Sequence, residues 1–160
     1  MKKVDKVFEI YYTCKVGFMM IIDIRKLNAK KAYQGELHFE YSAPEKLIGI
    51  PFVKFSGPVK VDFSYELYAD DALEIQGKVT YALEGQCSRC LKDAAQTVEG
   101  ELDALFEATN EPEDYGYSGG VVHLEEAVED AIMASMPFSL SCGEDCEGIS
   151  YFDKTDNNKE

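Results

Sequence analysis

Three stretches of strict two-residue alternation decide what this chain can become. Val59, Val61, Phe63, Tyr65 and Leu67 stand against Lys60, Asp62, Ser64 and Glu66. After Asp70-Asp71, Leu73, Ile75, Val79, Tyr81 and Leu83 alternate with Glu74, Gln76, Lys78, Thr80 and Glu84. Val98, Gly100, Leu102, Ala104 and Phe106 then alternate with Thr97, Glu99, Glu101, Asp103 and Glu107. Successive side chains of a strand point to opposite faces, so this period means one buried face and one wetted face. An earlier run puts Tyr33, Gly35, Leu37, Phe39 and Tyr41 opposite Gln34, Glu36, His38 and Glu40. The expectation is an α+β domain, mainly an antiparallel β-sheet meander with a hairpin at Asp70-Asp71. One face meets a core, and the other is acid-rich and in water.

A C-terminal helix is expected to cover the apolar face. Leu124, Ala127, Val128, Ala131, Ile132 and Ser135 recur at helical spacing, and Pro137 stops the run. Glu125 and Glu126 fall in the first turn, where the helix dipole favours them. The stripe from Val59 to Leu67 should pack against Val128 and Ile132. Residues 109–120, with Pro112, Gly116, Gly119 and Gly120 among acids, read as a loop of low order.

At 160 residues the chain suits one domain with a real core. That domain is placed at 20–152, followed by a polar, disordered tail at 153–160. Residues 1–19 carry two readings. Phe8, Ile10, Tyr12, Cys14, Val16 and Phe18 alternate as a strand would. Yet Met19-Met20 precedes an apolar run, so 1–19 also reads as an upstream extension, with translation starting at Met19 or Met20. No signal-peptide pattern and no apolar run of membrane-spanning length occurs, which points to the cytoplasm.

Charge narrows the partners. The formal net charge is −14. Residues 1–92 hold 14 basic and 12 acidic side chains, whereas residues 93–160 hold 2 basic and 18 acidic ones. A surface of that sign repels phosphate and attracts a basic protein, faster at low salt than at high. Any contact with RNA falls to the basic group Arg25, Lys26, Lys30 and Lys31, for which a solvated charge cluster is the plainer account.

Four cysteines lie in two short clusters, Cys87-Ser-Arg-Cys90 and Cys142-Gly-Glu-Asp-Cys146, with 51 residues between them. Four soft ligands suit a tetrahedral zinc, and short ligand loops reduce the entropy lost in closing each half. Converging, the clusters would form a structural zinc clip at a hairpin tip. A disulfide pair and ordinary free thiols remain the alternatives, although the fifth cysteine, Cys14, argues against a complete disulfide framework.

Catalytic patterns are weak. His38 sits on the polar side of a strand and His123 just before the helix, neither in a recognisable Ser/His/Asp or Cys/His arrangement. No Gly-rich phosphate loop or metal-hydrolase motif occurs. A thiol oxidoreductase using Cys87 and Cys90 is the best enzymatic rival, with Arg89 favouring a thiolate. It lacks the helix that normally opens at such a motif and lowers a thiol pKa. A general acidic adaptor for basic proteins is the remaining class.

Three segments together resemble the bacterial YceD family, named for accumulation of the large ribosomal subunit RNA. They are Ile21-Ile-Asp-Ile-Arg-Lys-Leu27, Leu83-Glu-Gly-Gln-Cys-Ser-Arg-Cys-Leu91, and Met136-Pro-Phe-Ser-Leu-Ser-Cys-Gly-Glu-Asp-Cys-Glu-Gly-Ile149. The last is similar to Gram-positive-type members. The resemblance spans roughly 20–149 and favours the upstream-extension reading of 1–19. Relatives often carry further cysteines past this point, where this chain has Ser150-Tyr-Phe-Asp-Lys154, so a metal site here must use Cys87, Cys90, Cys142 and Cys146. The resemblance implies a non-enzymatic role in synthesis, processing or stability of 23S ribosomal RNA. Its partners would be large-subunit ribosomal proteins or pre-50S particles.

Overall fold

The computed structural model describes residues 20–142 and Cys146. The order is β1 (Ile21–Asp23), α1 (Ile24–Ala29), β2 (Gln34–Tyr41), a 3-10 turn (Glu45–Leu47), β3 (Val53–Phe55) and β4 (Val59–Leu67). Then follow β5 (Leu73–Gln86), β6 (Asp93–Glu107), β7 (Tyr115–Gly116), β8 (Val121–His123) and α2 (Glu125–Ser135). The α+β expectation holds: strands dominate, and one C-terminal helix packs on them.

The main sheet runs β2-β4-β5-β6-β7, and β1 with β8 forms a separate two-stranded sheet. All pairs of the main sheet are antiparallel except β6 with β7. It departs from a simple meander at β3. Of β4, Lys60–Leu67 partner only Leu73–Thr80 of the longer β5. The chain fills the remaining length by laying β3 against Leu83–Gly85 on the same side.

Apart from Tyr33, which precedes β2 and stands exposed, the alternating residues reach their expected faces. Leu37, Phe39 and Tyr41 of β2, the stripe Val59 to Leu67, and Leu73, Ile75, Val79, Tyr81 and Leu83 are all buried. They join Leu102, Ala104 and Phe106 in one core. Phe39 stacks on Phe63 at 5.8 Å between ring centroids. No polar or charged residue is buried among the described residues. The opposite face carries Glu36, Glu40, Asp62, Glu66 and Glu74 from the first strands, and Asp93, Glu99, Glu101 and Asp103 from β6.

Helix α2 buries Ala127, Val128, Ala131 and Ile132, as its spacing requires. It lies chiefly over β6 rather than over the β4 stripe. Gly100 permits this approach, since a Cβ there would sit 2.6 Å from the Ser135 hydroxyl. Tyr81 locks the arrangement by hydrogen-bonding the Ile132 carbonyl at 3.2 Å and the Ser135 hydroxyl at 2.8 Å.

Two local expectations are corrected. The segment after Met20 is strand for only three residues. The Asp23 carboxylate accepts the Arg25 and Lys26 amides at 3.0 and 3.3 Å, capping α1 and turning the chain into a helix. The loop 109–120, expected to have little order, is pinned instead. Its Asp114 accepts the Leu105 amide, Tyr115 stacks on Phe106, and the Tyr115 hydroxyl donates to Asp130 at 2.7 Å. Its tyrosines supply the contacts that its Pro and Gly do not. The strand reading of 1–19, Cys14 and the tail 153–160 lie outside the described residues.

Candidate metal centre

The long hairpin β5–β6 brings the first cysteine pair to one end of the sheet. The last rungs, Gln86 with Asp93 and then the Cys87 amide donating to Lys92 O at 2.8 Å, leave four residues to reverse the chain. The Leu91 amide closes the turn on the Cys87 carbonyl at 2.9 Å, and Leu91 takes a left-handed φ of 63° to do so. A knuckle of this kind curls its amides toward the first sulfur. The segment after α2 then runs to the same end, because the Ser88 amide donates to the Leu140 carbonyl at 2.8 Å. Leu140 is fully buried and anchors the second pair beside the first.

The result is convergence of all four thiols. The Sγ atoms of Cys87, Cys90, Cys142 and Cys146 lie within 4.8 Å of one another. Cys87 stands 3.5 Å from Cys146, and Cys90 stands 3.7 Å from Cys142. Zinc–sulfur bonds of about 2.3 Å at tetrahedral angles place sulfurs about 3.8 Å apart, whereas a disulfide needs about 2.05 Å. The spacing fits a shared cation and not two disulfides. Cys87 is buried, Cys90 and Cys146 are half-buried, and Cys142 is exposed.

Electrostatics split the set. Amides of Cys90 and Arg89 directed at Cys87 hold its thiol down to about 5. Hydrogen bonds that the Cys142 thiol donates to Cys146 and Cys90 push it up to about 12. Anionic sulfurs packed this closely repel one another, and a divalent cation at their centre removes that repulsion.

The other sequence candidates do not converge. Arg25, Lys26, Lys30 and Lys31 lie on α1 and the turn after it, exposed, at the opposite end of the sheet from the cysteines. Arg25 is 3.7 Å from the Asp23 carboxylate, and Asn28 hydrogen-bonds Asp71, so acidic groups interleave with this basic cluster. His38 pairs with Asp62 at 2.5 Å on the outer face, while His123 ends β8 in the other sheet. Arg89 and Cys90 fall in a turn that opens no helix. An open trough of about 720 Å³ beside β3 is lined by Phe52, Lys54, Glu84 and Asp93 among others. Its lysine already pairs with Glu84, and no nucleophile and base meet there. Reading the sequence missed Leu91, Phe52 and Phe138, large apolar side chains that stand exposed. The first two hold left-handed backbone, which no local pattern announces.

Among the described residues, no helix is long and apolar enough to cross a membrane. No solved structure matches this chain. An uncharacterized protein of Mycobacterium tuberculosis H37Rv is 28% identical over 143 residues, covering 84% of this chain and 69% of its own. Its counterpart in Mycobacterium bovis matches to the same extent. An uncharacterized protein of Mycobacterium leprae is 29% identical over 105 residues, 61% of this chain and 48% of its own. A family model described as large ribosomal RNA subunit accumulation protein YceD matches residues 75–160. That span holds the hairpin, both cysteine pairs and α2, and with more than half its length matched the chain belongs to the YceD family.

Proposed function

We propose that this protein acts without catalysis, in the cytoplasm, to promote synthesis, processing or stability of 23S ribosomal RNA during large-subunit assembly. The family's description supports the ribosomal RNA role. The observation that carries the mode of action is the outer sheet face. Its carboxylates come from every long strand, while Lys54 and Lys78 are each paired with a glutamate. Such a face disfavours phosphate and favours a basic ribosomal or assembly protein.

A structural zinc on Cys87, Cys90, Cys142 and Cys146 completes this reading. The metal would tie the β5–β6 tip to the segment beyond α2 and hold the acidic hairpin rigid. The test is depletion of the protein followed by ribosome profiling, together with low-salt pull-down from growing cells. Accumulated pre-50S particles and captured large-subunit proteins are expected. Normal profiles with 23S RNA unchanged would contradict the proposal.

Thiol exchange is a second reading favoured by one observation, the depressed Cys87 thiol. Against it, Cys87 is fully buried, and a partner disulfide has no path to its sulfur. Insulin reduction separates the two, and activity lost in Cys87→Ser would favour exchange.

A further inference from the structure

Among the described residues, strand β6 has a partner on one side only over most of its length. Every residue from Asp93 to Phe106 pairs with β5, but β7 covers the other side only at Phe106 and Glu107. The direction of its polar groups follows from three bonds. Lys92 O faces β5, whereas the Leu105 amide reaches Asp114 and Glu107 O accepts from Tyr117, both on the far side. Backbone groups alternate sides along a strand, and the β5–β6 register is continuous from Asp93 to Phe106. The amides and carbonyls of Ala95, Thr97, Glu99, Glu101 and Asp103 therefore point out of the sheet edge. None of the described residues provides a backbone partner for them.

An open edge of this length is a template for another strand. Its side chains decide which. On the outer face the strand presents Glu99, Glu101 and Asp103 with no lysine or arginine of its own, and among the described residues only Glu99 has an ion-pair partner, Lys78. On the inner face lies α2. Asp130 reaches Tyr115 of β7, which marks the helix side nearest the edge, and Ala134 one turn later is exposed on that side. An arriving strand would meet carboxylates above, and the small side chain of Ala134 beside Asp130 below.

The geometry points to β6 as a strand-addition site for an extended segment of a partner protein that alternates lysine or arginine with small apolar residues. A second copy does not fit, because two β6 edges would set Glu99, Glu101 and Asp103 against the same carboxylates. The alternating run within residues 1–19 fits poorly too. Its polar side, Glu9, Tyr11, Thr13, Lys15 and Gly17, has no net positive charge. The inference rests on the acidic-surface reading only for the partner's sign; a basic partner bound elsewhere would sink the edge and leave that reading standing.

The test uses the full chain and a ten-residue peptide alternating lysine and valine, followed by fluorescence anisotropy and amide hydrogen exchange. Binding should slow exchange at Thr97, Glu99, Glu101 and Asp103. A peptide with glutamate for lysine should not bind. Glu101→Pro deletes one outward amide without touching the β5 ladder, and should weaken binding about tenfold or more. Glu101→Gln should weaken it only about two- to threefold at low salt. Should Glu101→Pro misfold, N-methylating the alternate peptide residues that face β6, each of the two alternate sets being tried in turn, removes the bonds the peptide amides donate to the outward β6 carbonyls with the protein intact, and one of the two sets should abolish binding. Equal binding by both N-methylated peptides, or bound peptide with unprotected β6 amides, would overturn the proposal. So would amides already protected in the free chain, whether released by starting the chain at Met20 or by dissociating a dimer.

Discussion

The two ends of the main sheet are closed by different means. Where β4 turns into β5, ordinary contacts do the work. The Leu67 amide reaches Tyr33 O at 2.7 Å, the Tyr65 hydroxyl donates to Ala32 O at 3.0 Å, and Tyr117 donates to the Asp71 carbonyl. Leu27 of α1 is fully buried behind them. Where β5 turns into β6, the described residues offer one backbone bond between Ser88 and Leu140, then four thiols. The strands between span roughly 45 Å. One end depends on packing that any pH near neutrality preserves; at the other, four thiols stand close enough to share a metal, which they could hold only while reduced and deprotonated. If the proposed metal binds, its removal should loosen the cysteine end and spare the other.

Several substitutions probe that contrast, beginning with the core that both ends share. Phe63→Ala removes a buried ring stacked on Phe39 and should cost about 3–5 kcal/mol in denaturant melts. A loss under about 1 kcal/mol would mean the stripe is not core. Next in size comes the metal. Chelation of the zinc-loaded protein should remove on the order of 3–4 kcal/mol if the free metal exceeded its dissociation constant several-hundred-fold. Cys90→Ser should reproduce that loss in the thermal melt, whereas Cys14→Ser should not. Tyr81→Phe, which deletes the bonds to Ile132 and Ser135, should cost about 1–1.5 kcal/mol. It tests the helix seat midway between the ends, and an unchanged melt would mean that seat rests on apolar packing and the close approach at Gly100.

Alkaline titration gives a smaller effect. Burial, then the Glu129 contact, raises the Tyr41 hydroxyl above its ordinary value of 10, and burial, then Asp130, does the same for Tyr115. Both are neutral when folded at a pH where the unfolded chain would ionise them. Their contribution is therefore whole below pH 10 and falls as pH rises above 10 toward the raised values. Absorbance at 295 nm should show these tyrosines ionising only together with loss of the fold. Early, independent ionisation would place them in solvent.

The long strands were legible because each repeats its period over nine or more residues, enough to fix which side faces the core. β3, β7 and α1 were not. Each is six residues or shorter, and its conformation answers a tertiary vacancy: the unpartnered length of β5, the stacking surface of Phe106, the cap offered by Asp23. The cysteine spacings suggested convergence, but the close pairs, Cys87 with Cys146 and Cys90 with Cys142, cross between clusters. Only the path from Pro137 to Leu140 decides that. The charge count located the acid in residues 93–160, while alternation also drew Glu36, Glu40, Asp62, Glu66 and Glu74 onto the same outer face.

The central claim is that a metal on the four thiols is what keeps the Ser88–Leu140 contact closed at the cysteine end. Native mass spectrometry of protein purified with zinc present, followed by amide exchange with and without chelator, addresses it directly. The account predicts one zinc per chain, and a Ser88 amide that loses protection on chelation while the Leu67 amide keeps its own. Metal-free protein whose Ser88 amide stays as protected as that of Leu67 would contradict it.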